Sequence, residues 1–341
     1  MAAGPLRIAW LIYGALEQVS GSYIYDRLVV QQLRELGDLV TIISLTPGAP
    51  ERPELGDDFD VVVGDEQCFR ELLPLFQAVS GRLRRVLLIH HLTCWEAPPG
   101  AERGALLALE KAVIDAADAC VATSAVTAER LHAEGLARRV RVAEPGADRL
   151  SRPASGGQEP SGARLRLLYV GNILRRKRVL ELCHAFSRLM TASAELVLVG
   201  AELEPDYAIE VRAMILSGEV QERVRFLGPL PEDGVEQQLA LADALVLPSA
   251  LEGYGMVLSE ALWAAVPVIA ARVGAAEKLV GMTEAGLLYE PDDAGGLAAT
   301  LGAFVGDAAL RRKLRRAAWQ AAETLPRWRN TALALRAALQ N

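Results

Sequence analysis

A chain of 341 residues exceeds the size at which a single hydrophobic core usually stops growing, which predicts two domains. Its 51% hydrophobic and 23% charged residues make an ordinary globular composition and exclude a disordered chain. The net charge of −7, with no long basic run, excludes generic nucleic-acid binding, which rests on neutralising phosphates with Lys and Arg.

The opening Met1-Ala-Ala-Gly-Pro5 runs straight into an apolar stretch without the charged and apolar regions of a signal peptide. No apolar stretch reaches 18 residues before a charge or proline interrupts it. A cytoplasmic protein with reduced thiols is expected. Leu6–Tyr13 reads as a buried strand, Glu17–Ser22 as the loop after it, and Tyr23–Leu36 has apolar residues at helical spacing ending at Gly37. Leu39–Leu45, Val61–Val63, Val86–Ile89, Ala119–Ala122 and Val140–Val142 continue the strand series. Such alternation predicts β-α-β units with right-handed crossovers and a parallel sheet covered on both faces.

The alternation breaks at Ser151–Ala163, a Ser-, Gly- and Pro-rich segment read as the interdomain linker. It restarts at Leu165–Val170 and continues through Leu196–Val199, Val224–Leu227, Ala244–Leu247, Val266–Ala270 and Gly286–Tyr289. Ala308–Glu323 and Trp328–Leu339 read as two helices separated by Leu325-Pro326. The expected fold is α/β, with two doubly wound Rossmann-like domains facing a cleft. The first covers 1–155 and the second 163–325, with a C-terminal helix, 326–341, returning to the first. Doubly wound sheets bind ligands outside the carboxyl ends of their strands, so the cleft is the default site. The four cysteines, Cys68, Cys94, Cys120 and Cys183, include no pair spaced for zinc or for C-x-x-C redox chemistry.

The most informative stretch is Leu247-Pro-Ser-Ala-Leu-Glu252-Gly253-Tyr254-Gly255-Met256-Val257-Leu-Ser-Glu260, followed by Val266-Pro-Val-Ile-Ala270. A strand ends near Leu247, a loop carries the two glycines, and a helix is predicted to begin near Met256. The amides of Met256, Val257 and Leu258 would then point outward at a helix N-terminus, a ready phosphate site. Glu252 and Glu260 fall on either side of that turn and are suited to accepting hydrogen bonds from vicinal hydroxyls, at about 1.5–3 kcal/mol each.

This segment resembles the donor-site signature of the retaining family-4 (group 1) glycosyltransferases, which have the GT-B fold. The signature has Ser or Pro-Ser ahead of Glu-Gly-(Phe/Tyr)-Gly, a second Glu eight residues after the first, then Gly-x-Pro-Val-Ile-Ala. Here Ala265 stands at that Gly, and Gly274 with Glu277 and Gly286–Asp292 match further family positions. The resemblance implies that Glu260 binds the nucleotide ribose and that Glu252 contacts the transferred sugar. The amides from Tyr254 to Val257 would hold the sugar and the distal phosphate. In Gly171-Asn172-Ile-Leu-Arg175-Arg176-Lys177, Lys177 matches the family's diphosphate lysine, whereas Asn172 replaces its arginine, for which Arg175 or Arg176 could substitute. His90, ahead of His91 at the end of the Arg85–Ile89 strand, aligns with a histidine near the reacting sugar.

On the acceptor side the candidates are Gly21, Ser22, Asp65 and His91. No H-E-x-x-H and no ligand cluster is visible, and the family works without a metal, so neither metal nor cofactor is expected. The arginine runs Arg82–Arg85 and Arg138–Arg141 raise the prospect of an anionic or lipid-linked acceptor and of peripheral contact with the inner face of a membrane. The expected activity is metal-independent, retaining transfer of a hexose from a nucleoside diphosphate sugar, UDP- or GDP-linked, to a hydroxyl acceptor. The rivals are a nucleotide-sugar epimerase or hydrolase and a catalytically silent donor-binding relative.

Overall fold

The computed structural model describes residues 4–49, 53–79, 81–137, 139–153, 164–189, 193–217, 220–293 and 295–340. The linker predicted at Ser151–Ala163 lies mostly outside the described residues, as does Arg138. The chain divides into one compact unit of Met1–Gly146 with Pro326–Asn341 and another of Ala147–Leu325. The division falls ahead of the boundary read at 155 because Ala147 and Leu150 are buried in the core of the second unit.

In the first unit the strands are β1 (Arg7–Tyr13), β2 (Leu39–Leu45), β3 (Val61–Asp65), β4 (Arg84–Ile89), β5 (Ala119–Ala122) and β6 (Val140–Val142). They form a parallel sheet in the order β2-β1-β3-β4-β5-β6. Four helices connect them: α1 (Gly21–Glu35), α2 (Phe69–Ala78), α3 (Ala101–Ala116) and α4 (Ala125–Ala133). The central strands are apolar through their middles because helices cover both faces, and Ile8–Ile12 are wholly buried. Gly21 and Ser22 belong to the first turn of α1 rather than to the preceding loop, a correction to the sequence reading.

The second unit repeats the plan with β7 (Leu165–Val170), β8 (Ala194–Val199), β9 (Val224–Phe226), β10 (Ala244–Leu247), β11 (Val268–Ala271) and β12 (Gly286–Tyr289). Their order is β12-β11-β10-β7-β8-β9, again all parallel. Its helices are α5 (Val179–Ser187), α6 (Pro205–Leu216), α7 (Glu232–Ala240), α8 (Met256–Trp263), α9 (Ala276–Thr283), α10 (Gly296–Gly306) and α11 (Ala308–Ala321). Two doubly wound parallel sheets are therefore present, as the alternation predicted. In the first sheet the strand order reverses between β1 and β3, and in the second between β7 and β10. The strand ends beside such a reversal splay apart and leave room for a ligand.

The C-terminal helix, α12 (Trp328–Gln340), packs on the first unit. Thr331 Oγ1 donates to the Glu144 carbonyl at 2.7 Å, and the Trp328 ring meets Tyr25 edge-on at 5.6 Å. The Arg336 guanidinium forks onto Asp38 at 2.8 and 3.0 Å. The two arginine runs are drawn into this packing. Arg84 donates to the Ala338 carbonyl, Arg141 to that of Ala337, and Arg85 pairs with Asp118 at 2.6 Å. These three side chains are engaged within unit one, whereas Arg82 and Arg139 of the same runs are exposed. Among the described residues no helix is long and apolar enough to cross a membrane, and all four cysteines are buried and unpaired.

Candidate functional site

In the second unit, Lys177 and Glu252 arrive from the two strands that flank the reversal. Gly171 follows β7, and a 3₁₀ turn, Arg175–Lys177, delivers the lysine. The turn ends on Arg178 in the left-handed region (φ 52°), and the Arg178 guanidinium bonds the Pro291 carbonyl. From β10, the loop Pro248–Gly255 carries Glu252. Ala250 N donates to the Arg176 carbonyl at 2.8 Å and sews the two loops together.

The Lys177 ammonium is hydrogen-bonded to Glu252 Oε1, and Ser249 Oγ donates to the same oxygen at 2.6 Å. Burial alone would raise the Glu252 carboxyl. The charges of Lys177 and Arg176 and the hydrogen bonds from Lys177 and Ser249 outweigh it and hold Glu252 below the usual range, so it is ionised. Gly274 explains its own presence. A Cβ there would lie 2.3 Å from the Glu252 carbonyl oxygen, and its backbone is left-handed (φ 55°), so only glycine lets the two loops approach.

Gly255 (φ 79°) caps α8, and Tyr254 beside it is buried. The Leu258 amide donates to the Gly255 carbonyl at 2.8 Å. It therefore closes the first turn instead of pointing outward, and only Met256 and Val257 remain of the three amides predicted for a phosphate. Asn172, at the family's arginine, accepts from Ala201 N at 3.3 Å and braces the β8 loop. Arg175 turns away to Glu210 at 2.7 Å, whereas Arg176 points at the Leu251 carbonyl, next to Glu252. Of the two arginines, Arg176 is the one that stays beside Glu252.

Glu260, one turn into α8, is 3% exposed. Its two oxygens are gripped by Arg149, Nε to Oε1 and Nη2 to Oε2, both at 2.8 Å. Nothing in the sequence marked Arg149, because it lies in an unpatterned segment and its partner is 111 positions away.

In the first unit the candidates gather at the carboxyl ends of β1, β3 and β4. His90 Nε2 lies 3.5 Å from Asp26 Oδ1 and 3.9 Å from Asp65 Oδ2, and the ligand atoms of this group lie within 4.8 Å of one another. Asp26, on α1, also accepts from Trp10 Nε1 at 3.2 Å. Glu66 accepts from His90 N at 2.9 Å. No motif spacing announced such a group, so the expectation of no ligand cluster is corrected. A divalent cation or shared protons could neutralise it.

Burial raises Asp26 to about 7 against hydrogen bonds from Trp10 and Asp65, and burial together with the Asp26 charge raises Asp65. Burial also pushes Glu66 up and lowers His90 to about 4, leaving a neutral imidazole at pH 7. Asp65 is thus a buried acid facing other acids, not a residue lining an open surface. His91 is drawn into a half-exposed pair with Glu96 at 2.6 Å. Ser22 Oγ accepts from the Gln67 side chain.

Residues 157–321, which contain the Lys177, Glu252 and Glu260 constellation, match the family of glycosyl transferases group 1. The chain carries a group 1 glycosyltransferase domain. A D-inositol 3-phosphate glycosyltransferase from Nocardia farcinica is 34% identical to the chain over 225 residues, covering 61% of it and 48% of the relative. The chain spans about half the length of the curated relatives it matches. Among solved structures, sucrose-phosphate synthase from Thermosynechococcus elongatus superposes with a TM-score of 0.81 at 20% identity, over 98% of each chain. HepE from Anabaena, in complex with UDP-glucose, gives 0.79 at 17% identity, over 98% of this chain and 99% of that one. At those identities the likeness is one of fold, and the fold is GT-B, as the resemblance implied.

Proposed function

We propose that this glycosyltransferase moves a hexose from a nucleoside diphosphate sugar to a hydroxyl acceptor, with retention at the anomeric carbon and without a metal. The observation that carries the reading is the convergence, at the β7–β10 reversal, of Lys177, an ionised Glu252 and the N-terminus of α8. A diphosphate leaving group needs positive charge where its oxygens emerge. An ammonium has three donors, so Lys177 can keep Glu252 and still reach phosphate oxygens, with the Met256 and Val257 amides beside it. Glu252 would accept from hydroxyls of the transferred sugar, and Glu260 from those of the ribose.

No side chain of the β7–β10 site is placed as a nucleophile. The reaction that fits is front-face attack. The acceptor oxygen bonds to the anomeric carbon as the bond from that carbon to the phosphate oxygen breaks, and the acceptor proton passes to the leaving phosphate. A UDP-sugar is the donor to try first, since HepE is described with UDP-glucose. Thermal-shift screening with UDP-, GDP-, ADP- and TDP-sugars should select one base. NMR of the product should then show retained configuration, and the same assay without acceptor separates transfer from epimerisation or hydrolysis. Wild-type transfer and donor hydrolysis in purified Lys177→Met, Glu252→Gln and Glu260→Gln variants alike would overturn the site assignment.

A further inference from the structure

We propose that Arg149 is a positioning residue. It fixes the Glu260 carboxylate for the donor's ribose and so sets how strictly the protein demands a 2′-hydroxyl. The inference rests on the reading of Glu260 as the ribose-binding carboxylate.

Three observations carry it. First, the contact is a side-on fork, with both hydrogen bonds at 2.8 Å and side-chain exposures of 7% and 4%. A planar guanidinium held in this way fixes the plane of the carboxylate, which an ammonium would not do. Each carboxylate oxygen keeps a second lone pair, directed outward on opposite sides of the group, and the fork holds each at a fixed place for a ribose hydroxyl.

Second, the segment that delivers Arg149 is anchored to the same helix. Trp263 Nε1, at the end of α8, donates to the Leu150 carbonyl at 2.8 Å, and Arg149 also reaches Glu232 on α7 at 3.1 Å. Arg149 is therefore tied to α8 at two places, Glu260 and the Leu150–Trp263 bond.

Third, the charges suit the ligand. A bare carboxylate beside a diphosphate would repel it, and Arg149 cancels that charge while leaving the acceptors in place. Burial would lower the Arg149 pKa, but Glu260 and Glu232 raise it, so the guanidinium stays charged.

The test compares binding of the nucleoside diphosphate chosen by the screen with binding of its 2′-deoxy form (UDP with dUDP, or GDP with dGDP) by calorimetry. Wild type should prefer the ribonucleotide by at least about tenfold, because a site built around a hydroxyl rejects the analogue that lacks it. Arg149→Met should weaken ribonucleotide binding by about tenfold and bring the ratio to within roughly threefold, with kcat at saturating donor changed far less than KM. Arg149→Lys should retain charge yet recover only part of the ratio.

A folded Arg149→Met protein with the wild-type ratio overturns the proposal. Glu260→Gln separates the two levels. If it also leaves the ratio intact, the reading of Glu260 itself has failed. If it abolishes the ratio while Arg149→Met does not, only the role of Arg149 has failed. Should Arg149→Met not fold, the Arg149→Met/Glu260→Gln double variant removes both charges, and Arg149→Lys alone then decides. A wild-type ratio in Arg149→Lys would rule out the fork.

Discussion

Glu252 and Glu260 in the second unit each face a buried or half-buried cation, Lys177 and Arg149. Asp26, Asp65 and Glu66 in the first unit lie against one another, with a neutral imidazole for a neighbour. Both groups stand at the carboxyl ends of parallel strands, and both are largely shielded from water. Desolvation acts on them alike, so the difference lies in the partners. A cation within hydrogen-bonding reach keeps a carboxylate ionised, whereas a second carboxylate forces the pair to retain a proton. The second unit therefore holds an ionised Glu252, and in the first Asp26 and Asp65 titrate near 7.

The largest expected effect comes from breaking a pair in the second unit. Lys177→Met should lower kcat by roughly two orders of magnitude, as for loss of one donor to a developing oxyanion. It should also cost about 3 kcal/mol of stability, since it strands the Glu252 charge. Steady-state transfer and urea unfolding measure the two. Glu252→Gln strands the Lys177 ammonium instead, but its amide oxygen can still accept from the ammonium, so a smaller loss is expected. No loss in either variant would mean that pairing is not what sets the second unit apart.

Next is Gly274→Ala, which leaves every charge in place and spoils only the approach of the loops. With a Cβ 2.3 Å from the Glu252 carbonyl and a left-handed backbone, it should cost about 2 kcal/mol or more and raise donor KM. Unfolding and donor titration would show it.

Asp26→Asn probes the other side of the comparison. The folded carboxyl titrates near 7 against 3.8 unfolded, so the stability it contributes is complete below 3.8 and is lost as pH rises through 7. Removing it should flatten the decline between pH 5 and 8 by roughly 2 kcal/mol, read from hydrogen exchange of β1 and β3 peptides. His90 works the other way. Its folded value near 4 lies below 6.5, so its contribution is present above 6.5 and lost as pH falls to 4. In the asparagine variant this acid-side loss should stand out more clearly. An unchanged profile would mean that the acids of the first unit are compensated like those of the second.

The smallest effect should be that of His91→Ala. Its pair with Glu96 is 27% and 35% exposed and water-screened, so a change of under about 0.5 kcal/mol is expected in the same unfolding assay.

Most strands were legible in the sequence, several to the residue, because a strand that packs under helices needs a short run of mostly apolar residues, and that leaves a local mark. The Glu252–Glu260 string was legible for a related reason. A loop that meets a helix start needs its glycines and carboxylates at fixed offsets along one segment. Lys177 was found through resemblance, and the structure supplied its partner.

What the sequence by itself determined was two doubly wound sheets and a glycine-bearing loop that meets a helix start between two glutamates. Only the tertiary structure decided which charges face which. Arg149 and Glu260 are far apart in the chain, as are Asp26, Asp65 and His90, and each residue alone looks like an ordinary polar position. Charge pairing depends on distances of a few ångströms set by how strands order in a sheet, and that order leaves no local trace in the sequence.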